Sequence, residues 1–392
     1  MKLTPDEIGR RMDGHLARTE VDREEAFLHS PKIHNHAPFL AFLPDGSLAC
    51  AWFAGTLEGK SDISIHLSTL APGSSTWSET VQVSDDPERS EQNPMIFVRP
   101  DGGVSLFHTA QPSGNQDESR VRERPLTLEN GKIASGPAHD LGLAAGTFIR
   151  ATIVRRDDGA WMLPLFLCNP RPGARWTGTH DTAAVAISSD EGANWSVIDV
   201  PQSHGCVHMT IVPLDGNEMV AFYRRRQADF VYRSTSRDGG RSWTAPEATD
   251  VPNNNSSIAA VRLADGRVAL LCNPVSSATS SDRRESLYDE LGEEDHRPNA
   301  EGGIKPIWGV PRAPLTLCVS TDGGRTFPLR RVVEDGFGTC LSNNSLDGRN
   351  HELSYPALLE DGEGSLHIAF TFHRRAIKYV RLAKGWIDGD PK

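Results

Sequence analysis

The sequence predicts an all-β fold, a six-bladed β-propeller preceded by a short N-terminal helical leader. Two repeating features carry that reading. A unit of apolar strand, Asp-Gly turn and second apolar strand recurs six times, and a Ser-x-Asp-x-Gly-x-x-aromatic motif recurs three times in phase with it. The hairpin units are residues 39–53 around Asp45-Gly46, 95–109 around Asp101-Gly102, 151–168 around Asp158-Gly159, 210–223 around Asp215-Gly216, 258–272 around Asp265-Gly266 and 355–372 around Asp361-Gly362. Successive turns are 56, 57, 57, 50 and 96 residues apart. A unit of roughly fifty residues with one strong hairpin has room for a second, weaker one, which completes a four-stranded blade.

The elements follow in order. Residues 1–30 read as a leader helix and linker: Thr4-Pro5-Asp6-Glu7 is a cap, a proline at the first turn and early acids, with the helix expected to run to about Val21. Residues 31–388 read as one propeller. The long gap in the fifth unit holds an insertion at about residues 276–307, a polar stretch rich in Ser, Asp, Glu and Arg. It is expected to form a loop with one helical turn near Glu285 to Leu291, in a position to lid the site.

Composition excludes several functions. The 392 residues are 38% hydrophobic and 24% charged with a net charge of −11, so neither a nucleic-acid backbone nor an anionic membrane is expected as partner. No apolar run approaches the ~18 residues of a membrane span. The start, Met1-Lys2-Leu3-Thr4-Pro5-Asp6-Glu7, lacks the apolar core of a secretion signal, so a soluble, cytoplasmic protein is expected. Six cysteines lie far apart and mostly inside apolar runs, which reads as buried free thiols rather than structural zinc.

The triplicate motif occupies Ser188 to Trp195, Ser236 to Trp243 and Ser320 to Phe327, with a worn copy at Ser68 to Trp77. Its carboxylate accepts backbone N–H bonds, its glycine permits positive φ, and its ring packs between strands. This pattern resembles the Asp-box of the sialidase superfamily, over about residues 30 to 385. Closer resemblance is to the bacterial predicted-neuraminidase-like proteins, through Asn35-His36-Ala37-Pro38, residues 51–56, Gln92-Asn93-Pro94, residues 253–257 and residues 354–358. The resemblance implies that the Asp-boxes lie at the blade periphery and serve structure.

In a propeller, residues just ahead of the first strand of each hairpin converge on the central axis. Those positions are His34 and His36, Gln92 and Asn93, Arg150, His208, Asn254 and Asn255, and Tyr355. Polar side chains at six quasi-equivalent places point to a binding funnel. Sialidases use three arginines that clamp the substrate carboxylate, a Tyr–Glu nucleophile pair and an Asp acid/base. Against that set, Tyr355 matches the nucleophile, Asp62 the acid/base and Arg224 one clamp arginine. His36 stands at the first clamp arginine, about Phe53 at the second, and His208 at the glutamate; Arg349 is the sole candidate for the third arginine, and Arg375 can reach the funnel rim.

Those substitutions leave three functional classes open. One is an exo-acting glycosidase cleaving a terminal acidic or deoxy sugar, with Tyr355 and His208 as nucleophile or base, His36 and Arg224 on the substrate and Asp62 as acid. A β-elimination at a uronate linkage, such as rhamnose–glucuronate, suits a His/Tyr base equally. The other classes are a non-catalytic sugar-binding propeller and a protein-interaction scaffold. A carbohydrate is the expected partner and a homo-oligomer a possible assembly. No cofactor is implied, and His34-x-His36 is the only hint of a metal ligand pair.

Overall fold

The computed structural model of the chain describes residues 3–112, 116–129, 132–284, 297–342 and 351–389. Each sequence repeat forms one antiparallel sheet, giving six blades of four or five strands. The strand nearest the axis is His34–Phe42 in blade 1, Ser90–Val98 in blade 2, and Thr147–Phe148 continued by Val154–Arg155 in blade 3. It is Cys206–Pro213 in blade 4, Ala259–Arg262 in blade 5 and Leu353–Glu360 in blade 6. Blade faces bury against one another. Strands such as Leu48–Gly55 and Val104–Gln111 are therefore buried at every position rather than alternately. One apolar cluster fills each gap between adjacent blades; Leu67, Ile96 and Leu106 join blades 1 and 2, for example, and Leu271, Leu317 and Ile368 join blades 5 and 6.

The chain start departs from the expected long helix. The helix is short, Pro5–Arg11, with a capping box in which the Thr4 hydroxyl accepts from Glu7 N–H and the Glu7 carboxylate accepts from Thr4 N–H. Beyond it, Gly14 takes φ +70 against Trp77, and Ala17–Glu20 and Arg23–Phe27 form a hairpin. Arg23–Phe27 pairs antiparallel with Ala376–Leu382, from Arg23 opposite Leu382 to Phe27 opposite Lys378. The unpaired edge of Ala376–Leu382 carries a row of N–H and C=O groups that need partners, and this decides against further helix. Chain start and chain end thus share blade 6 and close the ring, so much of the expected leader and linker belongs to the outer edge of a blade.

The Asp-boxes sit at the outer turns of blades 3, 4 and 5. In the last, Asp322 Oδ1 accepts from Arg325 N–H, Thr326 N–H and the Ser320 hydroxyl at 2.9, 3.0 and 2.7 Å, and Ser320 Oγ accepts from Gly324 N–H. These bonds hold the Asp322 carboxyl below its ordinary range despite partial desolvation. Phe327 is fully buried against Phe222. The worn copy keeps its ring: Trp77 is buried edge-on to Tyr379.

The insertion leaves blade 5 after Cys272 and returns at Leu315. Its expected helical turn, residues 285–291, lies outside the described residues. The returning part seats on the axis end of the fold: Ile307 N–H donates to Arg226 O, Ile307 O accepts from Asn255 Nδ2, and Ile304 N–H donates to Thr179 O. Among the described residues no helix is long and apolar enough to cross a membrane, and all six cysteines are buried and free.

Candidate active site

One backbone device builds the site. The axial strands of blades 1, 2, 4 and 6 each carry a register shift, at His36/Phe39, Gln92/Met95, Val207/Thr210 and Ser354/Ala357. A non-glycine residue takes positive φ at each break: Ala37 (57°), Asn93 (51°), His208 (52°) and Tyr355 (54°), and Asn255 (56°) does the same in blade 5. Each costs roughly 1–2 kcal/mol against the ordinary backbone. Five recurrences of one strained step, all facing the axis, mark a functional constriction rather than a packing accident.

The step gathers three rings. Tyr355 and His36 have ring centroids 4.3 Å apart, and Tyr355 and His208 5.6 Å apart. His34 follows at 6.2 Å from His36 and stacks on Phe53. The phenol, from the last repeat, and the two imidazoles, from the first and fourth, therefore meet as the sequence predicted. The Tyr355 hydroxyl accepts from Arg224 Nη1 at 2.7 Å, and Asn255 Oδ1 accepts from Arg224 Nε at 2.7 Å. Among the described residues Arg224 Nη2 has no acceptor, nor do His208 Nδ1, His36 Nε2 or either nitrogen of His34 have partners. Unpaired buried polar atoms are rare, and such a cluster at the axis is open to bonds from a ligand or from water.

Burial and neighbouring cations keep the imidazoles neutral. Desolvation, then Arg374, lowers the His34 pKa to about 4; desolvation and Arg374 also hold His36 well below its ordinary value, with Glu352 opposing. Desolvation, then Arg224 and Arg150, does the same for His208. His36 is fully buried, whereas His208 and Tyr355 keep 5% and 6% of their surface. His36 therefore supports the phenol from behind, its Nδ1 bonded to Thr371 Oγ1 at 2.8 Å. His36 thus stands deeper than His208, with its Nε2 left without a partner among the described residues.

Beneath the rings lies an ion network that the hairpin pattern did not reveal. Glu352 Oε1 accepts from Arg312 Nη1 at 2.7 Å and from the Ser354 hydroxyl at 2.7 Å, while its Oε2 accepts from Arg374 Nε at 2.8 Å. Arg374 also pairs with Glu58. Arg312 and Arg374 hold the Glu352 carboxyl well below its ordinary value against the cost of burial. The Arg312 guanidinium stands 5.6 Å from the Tyr355 ring centre, Arg224 5.8 Å and Arg150 5.6 Å. The phenol is thus ringed by three guanidinium groups. Arg312 is the axial arginine that the sequence sought at Arg349, which lies outside the described residues.

Other predicted positions do different work. Arg150 reaches across the axis and donates to Pro38 O at 2.9 Å, Tyr355 O at 3.1 Å, Pro356 O at 3.4 Å and Ser257 Oγ at 3.3 Å. It pins blades 1, 5 and 6 to blade 3. Gln92 Nε2 donates to Ser90 Oγ, Asn93 Nδ2 to Thr109 Oγ1, and Asn254 Nδ2 to Pro311 O, so these amides fix local backbone. Asp62 is exposed, and its carboxylate accepts from Thr56 N–H and hydroxyl at 2.9 and 3.0 Å as a turn cap. It raises the His34 pKa only as a minor effect. Arg375 is half-buried and donates to Thr339 O, away from the rings. No group of three or more His, Cys, Asp or Glu side chains among the described residues is placed to hold a metal ion.

The profile of the BNR repeat-like domain matches residues 46–368. The chain belongs to that family. As a BNR repeat-like protein it shares its fold with solved sialidases: the Hadza microbial sialidase Hz136 is 14% identical with a TM-score of 0.65, covering 90% of this chain and 66% of that one. Trypanosoma rangeli sialidase bound to the inhibitor DANA is 12% identical with a TM-score of 0.58, covering 91% and 56%. A protein of unknown function from Dyadobacter fermentans is 15% identical with a TM-score of 0.63, covering 93% and 98%. This BNR repeat-like chain thus spans just under two thirds of the first sialidase and nearly all of the Dyadobacter protein. No curated protein matches it in sequence.

Proposed function

We propose that the axial cluster is the active centre of a carbohydrate-cleaving enzyme acting on an acidic sugar at or next to the carbon that bears the carboxylate. One observation carries the reading: a single guanidinium, Arg224, holds the Tyr355 hydroxyl with Nη1 and leaves Nη2 without an acceptor. A carboxylate taken by the free end lies beside the phenol, and its adjacent carbon faces the phenolic oxygen. Arg224, Arg312 and Arg150 surround the ring with positive charge that would stabilise negative charge developing on a bound substrate. Arg224 is 1% exposed, so side chains at the axis must move to admit an anion to its Nη2.

Elimination at a uronate fits these residues best. The Tyr355 oxygen, acting as base, takes the proton from the carbon next to the carboxylate, a double bond forms to the neighbouring carbon as that carbon's C–O bond to the leaving sugar breaks, and the departing oxygen takes the proton back from the phenol, which restores the base. Among the described residues the Tyr355 hydroxyl bonds to the Arg224 guanidinium and to no carboxylate, which departs from a nucleophile paired with a glutamate and suits a base. His208, neutral and 5% exposed, is placed to bond the sugar or the departing oxygen. Hydrolysis at the anomeric carbon of an ulosonic acid is the second reading. It is favoured by the fold shared with sialidases, because there too the reacting carbon bears the carboxylate. Incubation with uronate and ulosonate oligosaccharides, followed by mass and ultraviolet absorbance, separates the routes: elimination gives an absorbing unsaturated product, and hydrolysis adds one water without absorbance.

A further inference from the structure

The axial channel has a second chamber on the far side of the strained step. A cavity of about 330 Å³ is lined by residues that follow the step in each axial strand, among them Phe39, Ile96, Ile153, Ala260 and Leu358, with Thr152 and Thr210 as its few hydroxyls and Arg150 among its walls. The size and mainly apolar lining suit a small organic ligand. Arg150 is the exception in its lining. It is 5% exposed, no carboxylate faces it, and burial lowers its pKa to about 10. Its Nε and Nη2 donate to Ser257 Oγ and to three carbonyls, while Nη1 has no acceptor among the described residues. A buried cation without counter-charge is costly unless an anion meets it.

We propose that this chamber binds a small monocarboxylate with an apolar body, its carboxylate on Arg150 Nη1 and its chain among Phe39, Ile96 and Ala260. A dicarboxylate or a sugar acid is excluded by the apolar walls. A neutral apolar molecule leaves the guanidinium unpaired. The chamber shares Arg150 with the ring cluster, which lies on the other side of the strained step, and its occupancy does not depend on the reaction proposed there.

Calorimetric titration of the full chain with octanoate, octanol and octylamine tests the proposal. Octanoate is expected to bind at one site, at least about tenfold more tightly than octanol, as a hydrogen bond to a charged group implies, and octylamine is expected not to bind. Thr152→Trp, at an exposed position on the cavity wall, and Ala260→Phe, within it, are each expected to abolish octanoate binding. The Trp variant is expected to keep the parental melting temperature, so its result stands even if the Phe variant folds poorly. Absence of octanoate binding at millimolar concentration, equal binding of the alcohol or amine, or octanoate binding unchanged by Thr152→Trp would each overturn the assignment.

Discussion

The Tyr355 hydroxyl and Arg224 form one unit: Nη1 donates to the phenolic oxygen at 2.7 Å, and the other terminal nitrogen of the same guanidinium has no partner among the described residues. The pair joins blade 6 to blade 4 across the axis. Arg224→Lys keeps a charge but loses the planar fork, so it cannot hold phenol and carboxylate together. It is expected to lower kcat/KM by about a hundredfold or more, with kcat reduced along with any rise in KM. Steady-state kinetics on a cleaved acidic oligosaccharide check this, and parental kinetics in the lysine variant would count against the fork.

His36 and His208 flank the same ring but should respond differently. His208→Ala removes a group with surface in the funnel and is expected to cut kcat by about 10²–10⁴-fold. His36→Ala removes support from behind the phenol. It is expected to lower both the melting temperature and kcat, with the thermal effect larger than for His208→Ala. Paired melting curves and kinetics distinguish the roles.

Glu352 is a buried carboxylate between two buried guanidinium groups. Glu352→Gln leaves Arg312 and Arg374 without their common counter-charge, although Arg374 keeps Glu58. The expected cost is roughly 3–5 kcal/mol of stability. Urea unfolding checks it; a midpoint within error of the parent would show that the network is not an energetic keystone.

Asp322 makes its hydrogen bonds at the blade rim, far along the sheet from the rings. Asp322→Ala is expected to cost about 1–3 kcal/mol through the backbone donors it leaves unpaired and to leave turnover unchanged at temperatures where the variant is folded. Loss of turnover without loss of stability would mean the motif does chemistry.

Acid should weaken the fold before it titrates most carboxylates. The pKa of His34 is lowered to about 4, and those of His66 and His373 likewise to about 4. Between their unfolded value near 6.5 and about 4 the unfolded chain binds protons that the folded chain refuses. The stability these groups contribute is therefore complete above about pH 6.5 and is lost as pH falls toward 4. The urea midpoint should fall steadily over that window, and a flat profile between pH 7 and 5 would contradict neutral, buried imidazoles.

Much of this was legible in the chain because repetition is a strong signal. Six Asp-Gly hairpins set the blade count, and counting back from each turn led to His36, His208 and Tyr355, which do meet at the axis. What escaped lacked a repeat to index it. Arg312 enters from the return of the insertion, Glu352 precedes its hairpin, and Arg374 lies in the turn after one, where Arg374 takes φ 56. Arg374, beside the rim candidate Arg375, is 2% exposed, a burial that Glu352 and Glu58 permit by neutralising it and that no local pattern announces. Arg150 stood at a funnel position in sequence, but its donors face carbonyls, which no side-chain pattern encodes. The helix was over-extended because its cap is local, whereas the strand that replaces it answers an edge more than 350 residues away.

Parallel incubation of the parent and Tyr355→Phe with a panel of acidic oligosaccharides, read by mass spectrometry, tests the role of the phenol most directly. The parent should release a fragment by cleavage at an acidic sugar from at least one member, and the phenylalanine variant, folded and of like melting temperature, should release none. Equal release by both, or cleavage by the parent confined to neutral glycans, would contradict a tyrosine that works at the carboxylate-bearing carbon.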